Sequence, residues 1–194
     1  MKNTPNYKSL SARLAIIASS SVLFVSCDPT QNQVITETSK KIGVARGNAI
    51  YQQISPQLEE PSALIEDMRV VALKFKTNYA NDPTILSAAE KKYSTARISL
   101  NAARESLKND ISNGNKSASD MTSKHFEQFQ TDGNAFRAYY GEVSNEGRFS
   151  SALLVGLGLI DKLLNTWNSY DGAKTDAVNS AIDQKLQSKP WSSL

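Results

Sequence analysis

The sequence is poor in the residues that build most sites of chemistry. It has one cysteine and one histidine in 194 residues, three methionines, and no uncharged apolar run long enough to span a bilayer. A lone cysteine cannot close an intramolecular disulfide, so packing must supply the stability of the fold. A structural or catalytic zinc site draws on several Cys, His or carboxylate ligands, and His125 and Cys27 are the whole Cys and His supply. A Ser-His-Asp arrangement could use only His125, and no G-x-S-x-G elbow surrounds any serine. "GLGLID", with Gly156 and Gly158, lacks the preceding strand and third glycine of a dinucleotide loop. No glycine-rich phosphate cradle and no attachment motif for c-type haem are present. The chain is therefore expected to be non-enzymatic and without a cofactor.

The single cysteine has a particular setting. Residues 1–13 carry Lys2, Lys8 and Arg13 and no acid, and residues 14–25 carry no charge. A basic start, an apolar stretch of about 7–15 residues and a small residue before the cut describe a secretory signal. The small residue is Ser26, directly before Cys27. The stretch "LFVSC" resembles the lipobox of bacterial lipoproteins, in which the cysteine is acylated and becomes the new N-terminus. Phe24 stands where Leu, Val or Ile is commoner in that family, with Leu23 beside it. The resemblance covers the first thirty residues or so and implies a targeting class: a signal peptide at 1–26, a lipidated Cys27, and a location on the membranes of a bacterial envelope, facing the periplasm. Asp28 follows the cysteine. Some proteobacterial lipoproteins with an acid there stay in the inner membrane, a rule other bacteria do not follow, so either membrane remains open.

Processing changes the charge. The whole chain has 22 basic and 19 acidic residues, and the three positive charges of the leader have no acidic counterparts. The mature chain is formally neutral, with no basic patch to match a nucleic acid. Residues 27–33, ending in the polar "DPTQNQ", read as a tether reaching about 20 Å at most beyond the membrane. Residues 34–190 then read as one domain.

Apolar spacing in that domain is helical almost throughout. A first helix is expected over about 34–54, with Ile35, Ile42, Ala45, Ala49 and Ile54 on one face and ending at Ser55 before Pro56. Gly43 and Gly47 weaken it, and their small-xxx-small spacing is read as coincidence. The next begins near Pro61, carries Leu64, Met68, Val71, Phe75 and Tyr79, and stops before Asp82-Pro83. Asp82 as N-cap and Pro83 in the first turn open a third helix. Its stripe is Leu86, Ala89, Tyr93, Ala96, Leu100, Ala103 and Leu107, and it ends near Asn113, Gly114 and Asn115. A fourth, from Ser117 or Ser119, is expected to bury Met121, His125, Phe129, Phe136, Tyr140 and Val143, with a kink at 131–134. A fifth, from about Ser150, carries Leu153, Leu157, Ile160, Leu164 and Trp167, and either continues or breaks at Asp171-Gly172 before Val178, Ile182 and Leu186. Short links between amphipathic helices favour antiparallel neighbours. The expected fold is all-α, an up-and-down antiparallel bundle of four to five helices.

Three features qualify as candidate sites. His125 could ligate a metal or haem with Met68 or Met121, or sit as a satisfied half-buried histidine. Residues 151–164 are the most apolar of the mature chain: Leu153, Leu154, Leu157 and Ile160 could contact a partner or the membrane, or form a helix buried on several sides. Phe75, Phe129, Phe136, Tyr140 and Trp167 could line a cavity for a small hydrophobic ligand or lipid. Glu59-Glu60 and Glu66-Asp67 read as solvated charges complementing a helix start. The leading expectation is a lipid-anchored bundle that binds an envelope protein partner. A carrier of a hydrophobic ligand is the alternative, and a hydrolase the third reading.

Overall fold

The fold is built on one long helical hairpin. Asp82 accepts hydrogen bonds at Oδ1 from the N–H groups of Thr84 (3.1 Å) and Ile85 (3.0 Å), and Pro83 occupies the first turn, where its missing N–H costs nothing. A helix of 30 residues, Pro83–Ser112, follows. It stops where Gly114 adopts a left-handed φ of 69° and donates its N–H to the Ile111 carbonyl at 3.1 Å. Ser119, in extended geometry, accepts from the Thr122 N–H at 3.3 Å and opens the helix Asp120–Ser144. The pairs Tyr93–Phe136, Ser99–Asp132, Ser106–His125 and Asp110–Ser119 meet in reverse order along the two helices, which therefore run antiparallel.

A computed structural model describes residues 51–52, 54–145, 156–168 and 175–194. We number its helices α1 (Glu59–Asn78), α2 (Pro83–Ser112), α3 (Asp120–Ser144), α4 (Leu157–Asn168) and α5 (Thr175–Lys185). Short 3-10 turns, Ser55–Leu58 and Trp191–Ser193, stand before α1 and after α5. The described residues contain no strand and form an all-α helical bundle within one compact unit, Lys40–Leu194. The expected helix over 34–54 lies outside the described residues except at its end, where Ile54 is buried and Ser55 begins the 3-10 turn before Pro56. Gly43 and Gly47 lie outside them as well.

α1 packs along the hairpin. Asp67 meets Arg137, Phe75 meets Phe136 and Tyr140, and the Tyr79 hydroxyl donates to the Val143 carbonyl at 2.8 Å. These pairs advance together along both chains, so α1 runs parallel to α3. Close approach is possible because α3 carries Gly133 on this face. A Cβ there would lie 3.0 Å from Leu64 Cδ2 and 3.1 Å from Met68 Sδ. α3 continues as helix through 131–134, where a kink was expected.

The core includes Leu64, Met68, Phe75, Leu100, Leu107, Phe126, Phe129 and Phe136, none more than 1% exposed. Each such side chain contributes on the order of 1.5–3 kcal/mol through burial. α4 and α5 pack against the Ser55–Leu58 turn and α2, burying Ile160, Leu163, Leu164, Val178 and Ile182. Outside that apolar contact, Lys185 pairs with Glu59 at 2.9 Å, and Asp183 with Lys108 at 2.5 Å and Arg104 at 3.3 Å.

Two sequence expectations are corrected. The domain does not close at residue 190. Trp191 is buried against Tyr93, with ring centroids 5.6 Å apart, and Leu194 packs on the core. The Tyr93 hydroxyl donates to the Lys189 carbonyl at 2.9 Å, and Lys76 donates to the Trp191 carbonyl at 2.7 Å. The second correction concerns α3, whose buried positions are Thr122, Phe126, Phe129, Gly133, Phe136, Arg137 and Tyr140. Met121, expected inside, is 62% exposed and Val143 is half-buried, while His125 is half-buried and bonded to Ser106 as its satisfied reading has it.

Candidate functional site

A concave surface of about 400 Å³ lies between α2 and α3, lined by Ala88, Lys91, Lys92, Thr95, Asp132 and Ala135. Helical geometry explains its composition. Positions 88, 91, 92 and 95 recur every three or four residues, so they share a face of α2 beside the buried Ala89, Tyr93 and Ala96. On α3, positions 132 and 135 flank the buried Gly133 and Phe136. Alanine at 88 and 135 leaves the space between the two helices unfilled.

The polar groups here are arranged unequally. Asp132 is half-buried and both its oxygens are occupied, Oδ2 by the Ser99 hydroxyl and Oδ1 by Gln128 Nε2 at 3.0 Å. Thr95 donates its hydroxyl to the Lys91 carbonyl at 3.0 Å. Lys92 rests over the Tyr139 ring, 5.4 Å from its centroid, a contact that steadies the side chain without neutralising it. Lys91 and Lys92 are exposed, and neither is paired with a carboxylate among the described residues. The surface therefore presents two ammonium groups without an ion-pair partner, over a floor of small side chains beside a carboxylate that is held by Ser99 and Gln128. In the sequence Lys91 and Lys92 fall off the apolar stripe through Ala89, Tyr93 and Ala96 and so read only as part of a helix's outer face. The available signal was the run "AAEKKYST", a lysine pair with alanine three residues before it and threonine after.

The candidates read from the sequence are dispersed. Cys27, Leu153 and Leu154 lie outside the described residues. Leu157 is half-buried and packs on the core, and Ile160 is fully buried, so Ile160 is a core residue and offers no contact surface. His125 is half-buried with Nδ1 3.2 Å from Ser106 Oγ. Its proposed co-ligands are placed apart in kind: Met121 faces solvent, and Met68 is buried on α1 against Gly133. Among the described residues no three His, Cys, Asp or Glu side chains come together as a metal-binding group.

The aromatic residues proposed to line a cavity fill the interior instead. Phe75, Phe129, Phe136 and Tyr140 are fully buried, and Phe75 contacts Phe136 at 5.6 Å and Tyr140 at 5.0 Å between centroids. The Trp167 side chain lies outside the description.

Glu59 and Glu60 stand in the first turn of α1, as the sequence suggests, and Glu59 and Glu66 are exposed while also holding partners. Glu59 pairs with Lys185, Glu60 accepts from the Gly156 N–H, and Glu66 pairs with Arg69 at 2.6 Å. Asp67 lies in the third turn of α1, not at its start, and holds the buried Arg137. Asp110, 3% exposed, ties off the hairpin loop: it accepts from Asn115 Nδ2 at 2.7 Å, the Ser119 N–H at 2.9 Å and the Ser119 hydroxyl at 3.1 Å. Burial pushes its carboxyl up, but hydrogen bonds from Thr122, Ser119 and Asn115 outweigh that and hold it below the ordinary aspartate value. No described helix is long and apolar enough to cross a membrane. Comparison of the chain with protein families, curated proteins and solved structures finds no match.

Proposed function

We infer that this chain is a lipid-anchored protein of a bacterial cell envelope, facing the periplasm and acting by binding a protein partner rather than by catalysis. The observation that carries the reading is N-terminal: Lys2, Lys8 and Arg13, the uncharged run 14–25, and Ser26 before Cys27. Acylation accounts for a thiol that would otherwise invite intermolecular pairing in an exported chain. Each buried acyl methylene contributes about 0.8 kcal/mol, and two or more chains make anchoring stable. With a tether as short as 28–33, the bundle rides close to its membrane.

The non-catalytic part draws support from how the acids are used. Asp67, Asp82, Asp110 and Asp132 all hold structural hydrogen bonds. The partner reading is favoured over a hydrophobic carrier because Phe75, Phe136 and Tyr140 pack directly on one another.

The anchor is tested by fractionating cells that express the full chain and measuring the mass of the N-terminal peptide. Wild type is expected in the membrane fraction with fatty chains on Cys27, and Cys27→Ser as an unprocessed or soluble protein. A bare thiol on a soluble wild-type chain removes the anchor. Crosslinking in cells followed by pull-down is expected to recover a defined partner, and repeated recovery of the protein alone counts against partner binding.

A further inference from the structure

We propose that the concave face between α2 and α3 is where the partner docks, and that it takes an acidic, extended segment of that protein. The proposal rests on the partner-binding reading and adds the surface and the chemistry of what it receives.

Charge is the first support. Lys108, Lys185 and Lys76 are committed, to Asp183, Glu59 and the Trp191 carbonyl in turn; of the lysines left exposed among the described residues, Lys91 and Lys92 are the adjacent pair that lines the concavity. Lys91 and Lys92 are exposed and have no carboxylate partner among the described residues, although Asp132 lines the same concavity. Asp132 accepts from the neutral donors Ser99 and Gln128 and keeps its negative charge, but it forms no ion pair with either lysine, so the two ammonium groups outnumber it at this surface. Glu90 precedes the pair but lies about 100° around the helix from Lys91. What faces solvent at this surface is thus a pair of cationic donors, one held over Tyr139. Their natural complement is a carboxylate-bearing chain.

Shape decides between a chain and a bilayer. A membrane surface is flat and would bridge a hollow of about 400 Å³ without filling it. Side chains of an extended peptide can enter it, because Ala88 and Ala135 leave room for a backbone to come close. Exposed charge pairs contribute little singly, so the shape of the groove has to add to them, and both parts are separately testable.

The test uses the full-length chain in a mild non-ionic detergent. The probe is a short fluorescein-labelled peptide of alternating Glu and Ala, titrated by anisotropy at low ionic strength. Saturable binding that weakens as salt is added is expected. The double variant Lys91→Glu/Lys92→Glu should weaken it about tenfold, from two lost attractions and two new repulsions. Ala135→Trp, at an exposed position, keeps the charge and fills the hollow, and should weaken binding comparably. Lys116→Glu/Lys124→Glu changes net charge equally at exposed lysines outside the groove and should stay within about twofold of wild type. Circular dichroism checks that each variant stays helical.

The proposal is overturned if the wild type does not bind the peptide. It is also overturned if the groove variants bind as wild type does, or if the control pair loses as much as the groove pair. Phosphatidylglycerol vesicles form a second arm: if vesicle binding rather than peptide binding is what the groove variants lose, a lipid surface is the occupant and the proposal falls. A partner crosslinked equally by wild type and Lys91→Glu/Lys92→Glu leaves partner binding standing and removes the groove. Peptide binding with no partner recovered in cells does the reverse.

Discussion

The guanidinium of Arg137 on α3 is buried and donates through Nε to the carboxylate of Asp67 on α1, while its Nη1 donates to Asn134 Oδ1 at 2.9 Å. The pair joins two helices that run in the same direction, and it lies between the contact at Gly133 and the aromatic cluster around Phe75. A buried cation in this position is strongly dependent on its partner.

Asp67→Ala should therefore be costly. Breaking a buried pair typically costs about 3–5 kcal/mol, but the Asp67 side chain is 33% exposed and water can partly replace it, so a loss of about 2 kcal/mol is expected. Adding Arg137→Met removes the buried cation that Asp67 had matched and should recover at least half of the loss. Urea denaturation of the three variants measures this. A single Asp67→Ala variant as stable as wild type would show that the pair contributes nothing.

Two glycines in helices should respond in opposite directions. At Gly133 an added side chain meets Leu64 and Met68 of α1, so Gly133→Val should cost about 1–3 kcal/mol through overpacking. At Gly158, in α4, a Cβ would meet nothing within 4 Å. There Gly158→Ala should stabilise by up to about 0.5 kcal/mol, since the position lies in the first turn of α4, where helix propensity counts for less than in the interior. Thermal melts of both variants check the contrast in sign.

Stability should fall at acid pH partly through Asp110. Its carboxyl is held below the ordinary aspartate value in the fold, so its contribution is complete above the unfolded value and is lost as pH falls through the folded one. Between pH 7 and pH 3 the urea midpoint should drop for wild type. For Asp110→Asn, already weaker by about 1–3 kcal/mol at pH 7, the drop should be smaller. Equal drops in both proteins would remove Asp110 from the account.

Trp191→Ala should destabilise the bundle by about 3 kcal/mol, since the ring is 8% exposed and packs on Tyr93. Lys76→Met, which loses the bond to the Trp191 carbonyl but keeps its apolar stem, should cost about 1 kcal/mol. Denaturation midpoints separate the ring from the bond.

The sequence was most legible where a helix carries an uninterrupted apolar stripe and a recognisable start. In α2, Ala89, Tyr93, Ala96, Leu100, Ala103 and Leu107 are buried as their spacing predicts and Leu86 at the head of the stripe is half-buried, and Asp82 caps the helix as its place before Pro83 suggests. In α3 the stripe is interrupted by Thr122 and Arg137, residue types mostly found at the surface, and by Gly133, which has no side chain to mark a face. Met121 and His125 offered a competing phase, so the expected face was turned and Phe126 was missed. Arg137 and Asp110 could not be found inside because each is buried only by virtue of a partner on another segment. The groove was illegible for a related reason: Lys91 and Lys92 form part of a concavity only once α3 places Asp132 and Ala135 opposite them.

The antiparallel pairing of α2 with α3 has a kinetic consequence. Its contacts close outward from the turn at Gly114, with Asp110 and Ser119 only nine residues apart, so little chain entropy is lost at each step. The bond from Lys76 to Trp191 spans 115 residues and must await the collapse of most of the domain. The hairpin is thus placed to nucleate folding, and the segment around Trp191 to dock last. In native-state hydrogen exchange the amides near Trp191 should open first, well before those at the centre of α2.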